Sequence, residues 1–254
     1  MKIAICLYGV TPFETKKYEN YEPYRTAIDN FYTVDGFNYH SLKSWKENII
    51  NHNDVDFFIH SWTENDQHKE KLLQVFNPKE YEFNSLVYQD SVISSSLSVK
   101  NVLSILDSYE TENSFTYDLV LICRMDLVWF RPIDIKSTYD VNKFTVTYWG
   151  IRDIEPNKTW DEPYEGNKHG THDVIFASNS KNAKLYSTLF DYIDEYRKNE
   201  SDLTSHHTIK RYHIEKTGLI SIIDHKLIVN KDLEIESRCS SSNYDFNDYL
   251  KKYN

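Results

Sequence analysis

The chain has 254 residues, a length that suits one large α/β domain. Its 40% hydrophobic and 27% charged residues are an ordinary globular balance, which argues against a disordered or fibrous chain. A net charge of −10 and the lack of any basic run argue against a general nucleic-acid binder and against docking on anionic membranes.

Ile3 to Tyr8 reads as a buried strand ending at Gly9, apolar on both faces as in the centre of a parallel sheet. Residues 10–38 are irregular and rich in Tyr, Pro, Glu and Lys, a loop long enough to be functional. Ser41 to Asn51 reads as a helix, with Leu42, Trp45, Ile49 and Ile50 on one face. Asp54 to Ile59 is a second buried strand that runs into His60-Ser61-Trp62. Asp66 to Phe76 reads as a helix stopped by Asn77-Pro78. A short strand is expected over Tyr81 to Phe83, then an amphipathic helix over Ser96 to Tyr109.

Tyr117 to Cys123 (YDLVLIC) is a third buried strand, followed at once by Arg124-Met125-Asp126. Strands are expected over Phe144 to Trp149 and Asp173 to Ala177, and a single long helix over Ser180 to Arg197. A further helix over Thr204 to Lys216 and strands within Leu219 to Val229 complete the pattern. His206-His207, in a polar helical stretch, read as solvated.

The alternation of strands and helices predicts an open, mostly parallel α/β sheet flanked by helices. Ligands of such sheets sit outside the carboxyl ends of the strands. That rule lines up Tyr8-Gly9, His60-Ser61-Trp62 and Arg124-Met125-Asp126 along one rim. No domain boundary is visible, so residues 1–254 are read as one domain. The half over 1–130 is expected to bind a ligand, and the half over 131–254 to face its reaction partner and carry the C-terminal helices.

Cys6, Cys123 and Cys239 are odd in number and widely spaced, which is neither a disulfide framework nor a zinc motif. Cys6 and Cys123 lie in apolar runs and read as small buried hydrophobes. A reducing, cytoplasmic setting is the expectation. The N-terminal apolar run is short and has no cleavage-site pattern, and no run reaches the roughly 20 apolar residues of a membrane span.

Asp126 ends an apolar strand, where a carboxylate either caps a turn or binds a cation. Mg²⁺ and Mn²⁺ take oxygen ligands, commonly one or two carboxylates plus substrate phosphates. Arg124 either pairs with Asp126 or contacts a phosphate or carboxylate of a ligand.

Four segments, KIAICLYG, DVDFFIHSW, YDLVLICRMDLVWF and THDVIFAS, resemble in order the framework of a small group of GT-A glycosyltransferases found in viruses and bacteria. The resemblance spans roughly the first 180 residues. It implies a GT-A-like (Rossmann-like) fold and transfer of a sugar from a nucleotide-sugar donor to a glycan or other hydroxyl acceptor. In that family a strand ends in an Asp-x-Asp motif whose last carboxylate binds the divalent ion, Mn²⁺ or Mg²⁺. Asp126 matches that last position, while Arg124 stands in place of the first Asp.

The resemblance also implies that Leu7, Tyr8, Gly9 and Val10 border the nucleotide base, with Tyr8 stacked on it and His60, Ser61 and Trp62 nearby. An acidic residue in this region faces the acceptor sugar in that family, so Asp173 is the candidate base if the transfer inverts rather than retains, or else a cap or turn carboxylate, with His172 sharing the role of base or binding the acceptor. His213 and His225 are candidates for a late second metal ligand. Gly166 and Gly170 bracket a polar loop suited to covering the site. Two rivals stay open: a metal-dependent hydrolase built on His60, Asp126, His172 and Asp173, and a non-catalytic nucleotide-sugar-binding module.

Overall fold

The computed structural model describes residues 1–10, 39–86, 88, 90–148, 171, 173–200, 203, 205–228 and 232–235. His172, Cys239, Gly166, Gly170 and nearly all of the 10–38 loop lie outside them, and the side chains of Val10 and His225 are likewise not described.

Four strands run parallel: β1 (Ile3–Val10), β2 (Asp56–Trp62), β3 (Glu80–Asn84) and β4 (Leu119–Arg124). β6 (Phe144–Tyr148), β7 (Ile175–Ser178) and β8 (Ile223–Ile228) extend the same sheet in the order β3-β2-β1-β4-β7-β6-β8. Only β7 runs against the others. The expected open, mostly parallel α/β sheet is therefore present. A small second sheet pairs β5 (Leu127–Trp129) with β9 (Leu233–Ile235), neither of which the sequence pattern marked.

The unbroken apolar runs of β1 and β4 reflect burial on both faces. Ile3, Ile5 and Leu7, with Leu119, Leu121 and Cys123, pack into one core against Leu42, Trp45, Ile49, Leu72 and Phe76. Those residues belong to α1 (Tyr39–Asn48) and α2 (Asp66–Phe76), with Ile49 just after α1. Ala4, Cys6 and Tyr8, with Val120 and Ile122, pack into the opposite core against Val99, Val102, Leu103 and Leu106 of α3 (Ser91–Glu112). Cys6 and Cys123 are free and buried, as their sequence context suggests.

Helix α3 starts five residues earlier than its apolar face implied. The Asp90 carboxylate caps it by accepting from the Val92 and Ile93 amides, which carries the helix through a Ser-rich stretch of weak propensity. Its buried Glu110 is satisfied on three sides. It accepts from the Tyr117 amide at 2.7 Å and the Ser180 hydroxyl at 2.9 Å, and it pairs with Lys184 at 2.7 Å.

After the four-residue helix α4 (Ile135–Thr138), the expected long helix over 180–197 is two helices, α5 (Ser180–Ser187) and α6 (Leu189–Asn199). They meet at Thr188, whose hydroxyl donates to the Leu185 carbonyl at 2.8 Å and competes with the helical ladder. Helix α7 (His206–Lys216) begins at Ser205, whose side chain accepts from the Thr208 amide. No helix among the described residues is long and apolar enough to cross a membrane.

Candidate functional site

In the strand order β2-β1-β4 the chain winds outward from β1 in both directions. The ends of β1 and β4 thus flank the point where an open α/β sheet binds its ligands. Tyr8 and Arg124 are register partners there. Gly9 adopts φ +107°, a conformation strained for any residue with a Cβ, and its amide donates to the Ser98 hydroxyl at 2.9 Å.

Beyond Arg124 the chain bends. Met125 turns into the first core, where its carbonyl accepts from the Trp45 indole at 3.2 Å. Asp126 turns back toward Arg124, which donates to both its oxygens, from Nε at 2.8 Å and Nη2 at 2.6 Å. The Arg124 amide also donates to the Val174 carbonyl at 3.1 Å, which brings the start of β7 alongside. Asp173 then places Oδ2 3.8 Å from Nη1 of Arg124. The Tyr8 hydroxyl donates to the Asp173 carbonyl at 2.7 Å and fixes that backbone. Burial disfavours the Arg124 charge, but Asp126 and Asp173 outweigh it and push its pKa up.

A fourth charged group completes the cluster. Lys210, on α7, lies with its ammonium 3.9 Å from Oδ2 of Asp173. Its side chain is only 1% exposed, and its nitrogen has no hydrogen-bond partner among the described residues. Burial pulls its pKa down to about 8, opposed by Asp173 and assisted by Arg124. Sequence reasoning passed over this residue. The signal was there: Ile209, Lys210, His213 and Ile214 form the buried face of α7, so a lysine and a histidine occupy positions that the helical period assigns to the core.

Helix α7 is also tied into the site at its first turn. The His207 ring bonds the Thr171 carbonyl at 2.8 Å, and the Thr171 amide donates to the His207 carbonyl at 3.0 Å. His206 bonds Ser91 and Ser95 of α3. The two histidines that read as solvated are thus fasteners.

Several expected contacts take a different form. Tyr8 is 3% exposed, with its ring in the second core, so it is a wall of the site and has no face open for stacking. Leu7 is core. His60, Ser61 and Trp62 are buried. His60 bonds Ser98 through Nδ1 at 2.7 Å, and Nε2 lies 2.8 Å from Asn84 and 3.0 Å from Asn101. Since Ser98 also accepts from Gly9, His60 braces the end of β1 from behind.

His213 is a core histidine. Nδ1 bonds the Tyr196 hydroxyl at 3.0 Å, and Nε2 lies 3.4 Å from the Leu185 carbonyl. Both nitrogens are occupied within the protein, so it offers no lone pair to a metal. Burial lowers its pKa to about 4. A histidine that is harder to protonate folded than unfolded binds fewer protons in the native state. Its contribution is therefore intact above the ordinary pKa near 6.5 and is lost as pH falls toward 4. The unfolding free energy from urea titrations is expected to fall between pH 7 and pH 4 by an amount on the order of 3 kcal/mol from this residue. His213→Gln should flatten that slope, and an unchanged slope would refute the assignment.

Among the described residues, the donors around Asp126 are a poor fit to a resident divalent ion. Both Asp126 oxygens already accept from Arg124, and the nearest second carboxylate, Asp173, faces two cations. No cluster of three or more His, Cys, Asp or Glu side chains among the described residues is arranged to hold a metal. The Mn²⁺ or Mg²⁺ expected at Asp126 would have to share its two oxygens with the Arg124 guanidinium or displace it.

No protein-family model matches the chain, and no curated protein matches it either.

Proposed function

We propose that the protein transfers a sugar from a nucleotide-sugar donor to a hydroxyl acceptor. The observation that carries this reading is the meeting of Arg124 and Asp173, 3.8 Å apart, where β1 and β4 end at the sheet's switch point. Sugar transfer with inversion uses both groups around one reacting carbon: a cation for the departing diphosphate, and a carboxylate for the proton of the attacking hydroxyl. The finer fold reading, GT-A-like, belongs to the same proposal. Its support is the resemblance of the four segments, three of which supply β1, β2 and β4.

In the proposed reaction the acceptor oxygen attacks the anomeric carbon. The bond from that carbon to the diphosphate oxygen breaks, and the electron pair leaves with the nucleoside diphosphate. Asp173 takes the hydroxyl proton. Arg124 stabilises the negative charge developing on the leaving group, a charge greatest in the transition state.

One observation favours the non-catalytic rival. In the free protein Arg124 is closed onto Asp126. Nothing favours the hydrolase, because His60 has no ring nitrogen to spare.

The test is release of nucleoside diphosphate from a panel of nucleotide sugars, with and without mono- and oligosaccharide acceptors. Wild type should release it, and Arg124→Ala should be slower by roughly 100-fold, the usual effect of removing a transition-state donor. Tight nucleotide binding with no release across the panel would establish the binding module instead. Neither binding nor release would end both readings.

A further inference from the structure

We propose that Arg124 and Lys210 form a two-cation cradle for a diphosphate, and that this pair takes the place of a divalent metal ion. The inference rests on the nucleotide-sugar reading only for the identity of the ligand.

Lys210 carries the argument. A charged ammonium removed from water is costly unless it is paired and hydrogen-bonded. Lys210 is buried to 1% exposure, yet it makes no hydrogen bond among the described residues. Its three donors face two ring systems, Tyr8 at 6.0 Å and Phe176 at 5.8 Å, and a single carboxylate at 3.9 Å. For stability alone, methionine would fill this position at lower cost. A buried lysine with no hydrogen bond, next to a partly exposed arginine, is the arrangement expected of a group that meets an anion.

The geometry defines where that anion goes. Oδ2 of Asp173 marks a point 3.8 Å from a guanidinium nitrogen of Arg124 and 3.9 Å from the Lys210 ammonium. Both gaps exceed a hydrogen bond. A phosphate oxygen entering between the two cations can close on both, because phosphate presents more acceptors and more charge than a carboxylate. Arg124, 29% exposed, is the outer member, and Lys210 is the inner one. In the free protein Asp126 and Asp173 hold the cations in place. On binding, the cations pass to the diphosphate, and Asp173 is left with fewer positive neighbours, which makes it a better proton acceptor.

The pair also accounts for the poor fit of a metal. A divalent ion at Asp126 would stand against a guanidinium that already occupies both oxygens. Two fixed cations deliver the same formal charge as one Mg²⁺.

The experiment is isothermal titration of the full chain with inorganic pyrophosphate and with a panel of nucleoside diphosphates. Each titration is run in EDTA and again with Mn²⁺. Wild type should bind in EDTA, with Mn²⁺ changing affinity by less than about three-fold. Lys210→Met and, separately, Arg124→Gln should each weaken binding at least ten-fold, the scale of a charge-assisted hydrogen bond. Thermal melting without ligand reports whether each variant is folded, and either folded variant suffices for the comparison. Binding that requires Mn²⁺, or that survives Lys210→Met unchanged, overturns the cradle while leaving the nucleotide-sugar reading intact. Pyrophosphate bound in EDTA through Lys210, with no nucleoside diphosphate bound more tightly, supports the cradle and removes the nucleotide-sugar reading. No binding of any of these ligands removes both.

Discussion

If the proposed sugar transfer is the activity, Asp173→Asn is expected to lower its turnover by roughly 10²–10⁴-fold, the range over which a positioned general base contributes. The substitution keeps the shape of the side chain and removes its ability to take a proton. Nothing in the backbone has to move, because the Tyr8 hydroxyl bonds the Asp173 carbonyl and the Arg124 amide bonds Val174. Nucleoside diphosphate affinity should therefore stay within a few-fold of wild type, or rise, as Arg124 and Lys210 lose a competing carboxylate. The diagnostic pattern is loss of kcat with KM for the donor preserved. Stability should fall modestly, since the buried ammonium of Lys210 loses part of its counter-charge. Assays are therefore run well below the melting temperature of the variant. A kcat reduced less than ten-fold would remove Asp173 from the role of base.

Trp45→Ala should be the most destabilising single change in the first core, by about 3–5 kcal/mol in urea unfolding. Trp45 is fully buried and meets Phe57, Phe76 and Trp129 edge-on, with ring centroids 6.3, 5.7 and 5.1 Å away. Such contacts add to simple area burial. Truncation would open a large cavity between α1, α2 and β5, and it would orphan the Met125 carbonyl that the indole now satisfies. That bond joins stability to function, because Met125 is the residue between Arg124 and Asp126. The structure therefore predicts a second effect: the Arg124–Asp126 bend loosens, and diphosphate affinity falls in Trp45→Ala even at temperatures where the variant is folded. A destabilisation under 1 kcal/mol would mean that the core rearranges around the gap. Unchanged affinity in a folded variant would show that the bend is held by other contacts, such as the Ser44 hydroxyl that accepts from the Trp129 amide.

Much of this architecture is written in the order of residues. The apolar runs of β1 and β4 carry no alternation, and burial on both faces of a parallel sheet is the arrangement that such runs satisfy. The helical period over Leu42, Trp45 and Ile49 fixed which face of α1 is buried. The charged residues placed directly after YDLVLIC located Arg124 and Asp126 at a strand end, where open sheets do their binding. Local pattern and local propensity were enough for each of these, because each concerns residues close in sequence.

What the sequence could not contain is which distant groups meet, and which polar residues already have partners. His60 and His213 have the chemistry of ligands. Only folding shows their nitrogens occupied by Ser98, Asn84 and Asn101, and by Tyr196 and Leu185. The sequence left Asp126 open to a cation or to pairing with Arg124, and the bend after β4 puts both its oxygens against Arg124. Lys210 lies 37 residues beyond Asp173 by number, and the helical period marks it only as buried; packing of α7 against the second core brings its ammonium within 3.9 Å of that carboxylate. Propensity and periodicity are properties of neighbours along the chain, whereas the energy of a charge depends on everything within a few ångströms of it in space. The strands could be read from the first; the electrostatics of the site had to wait for the second.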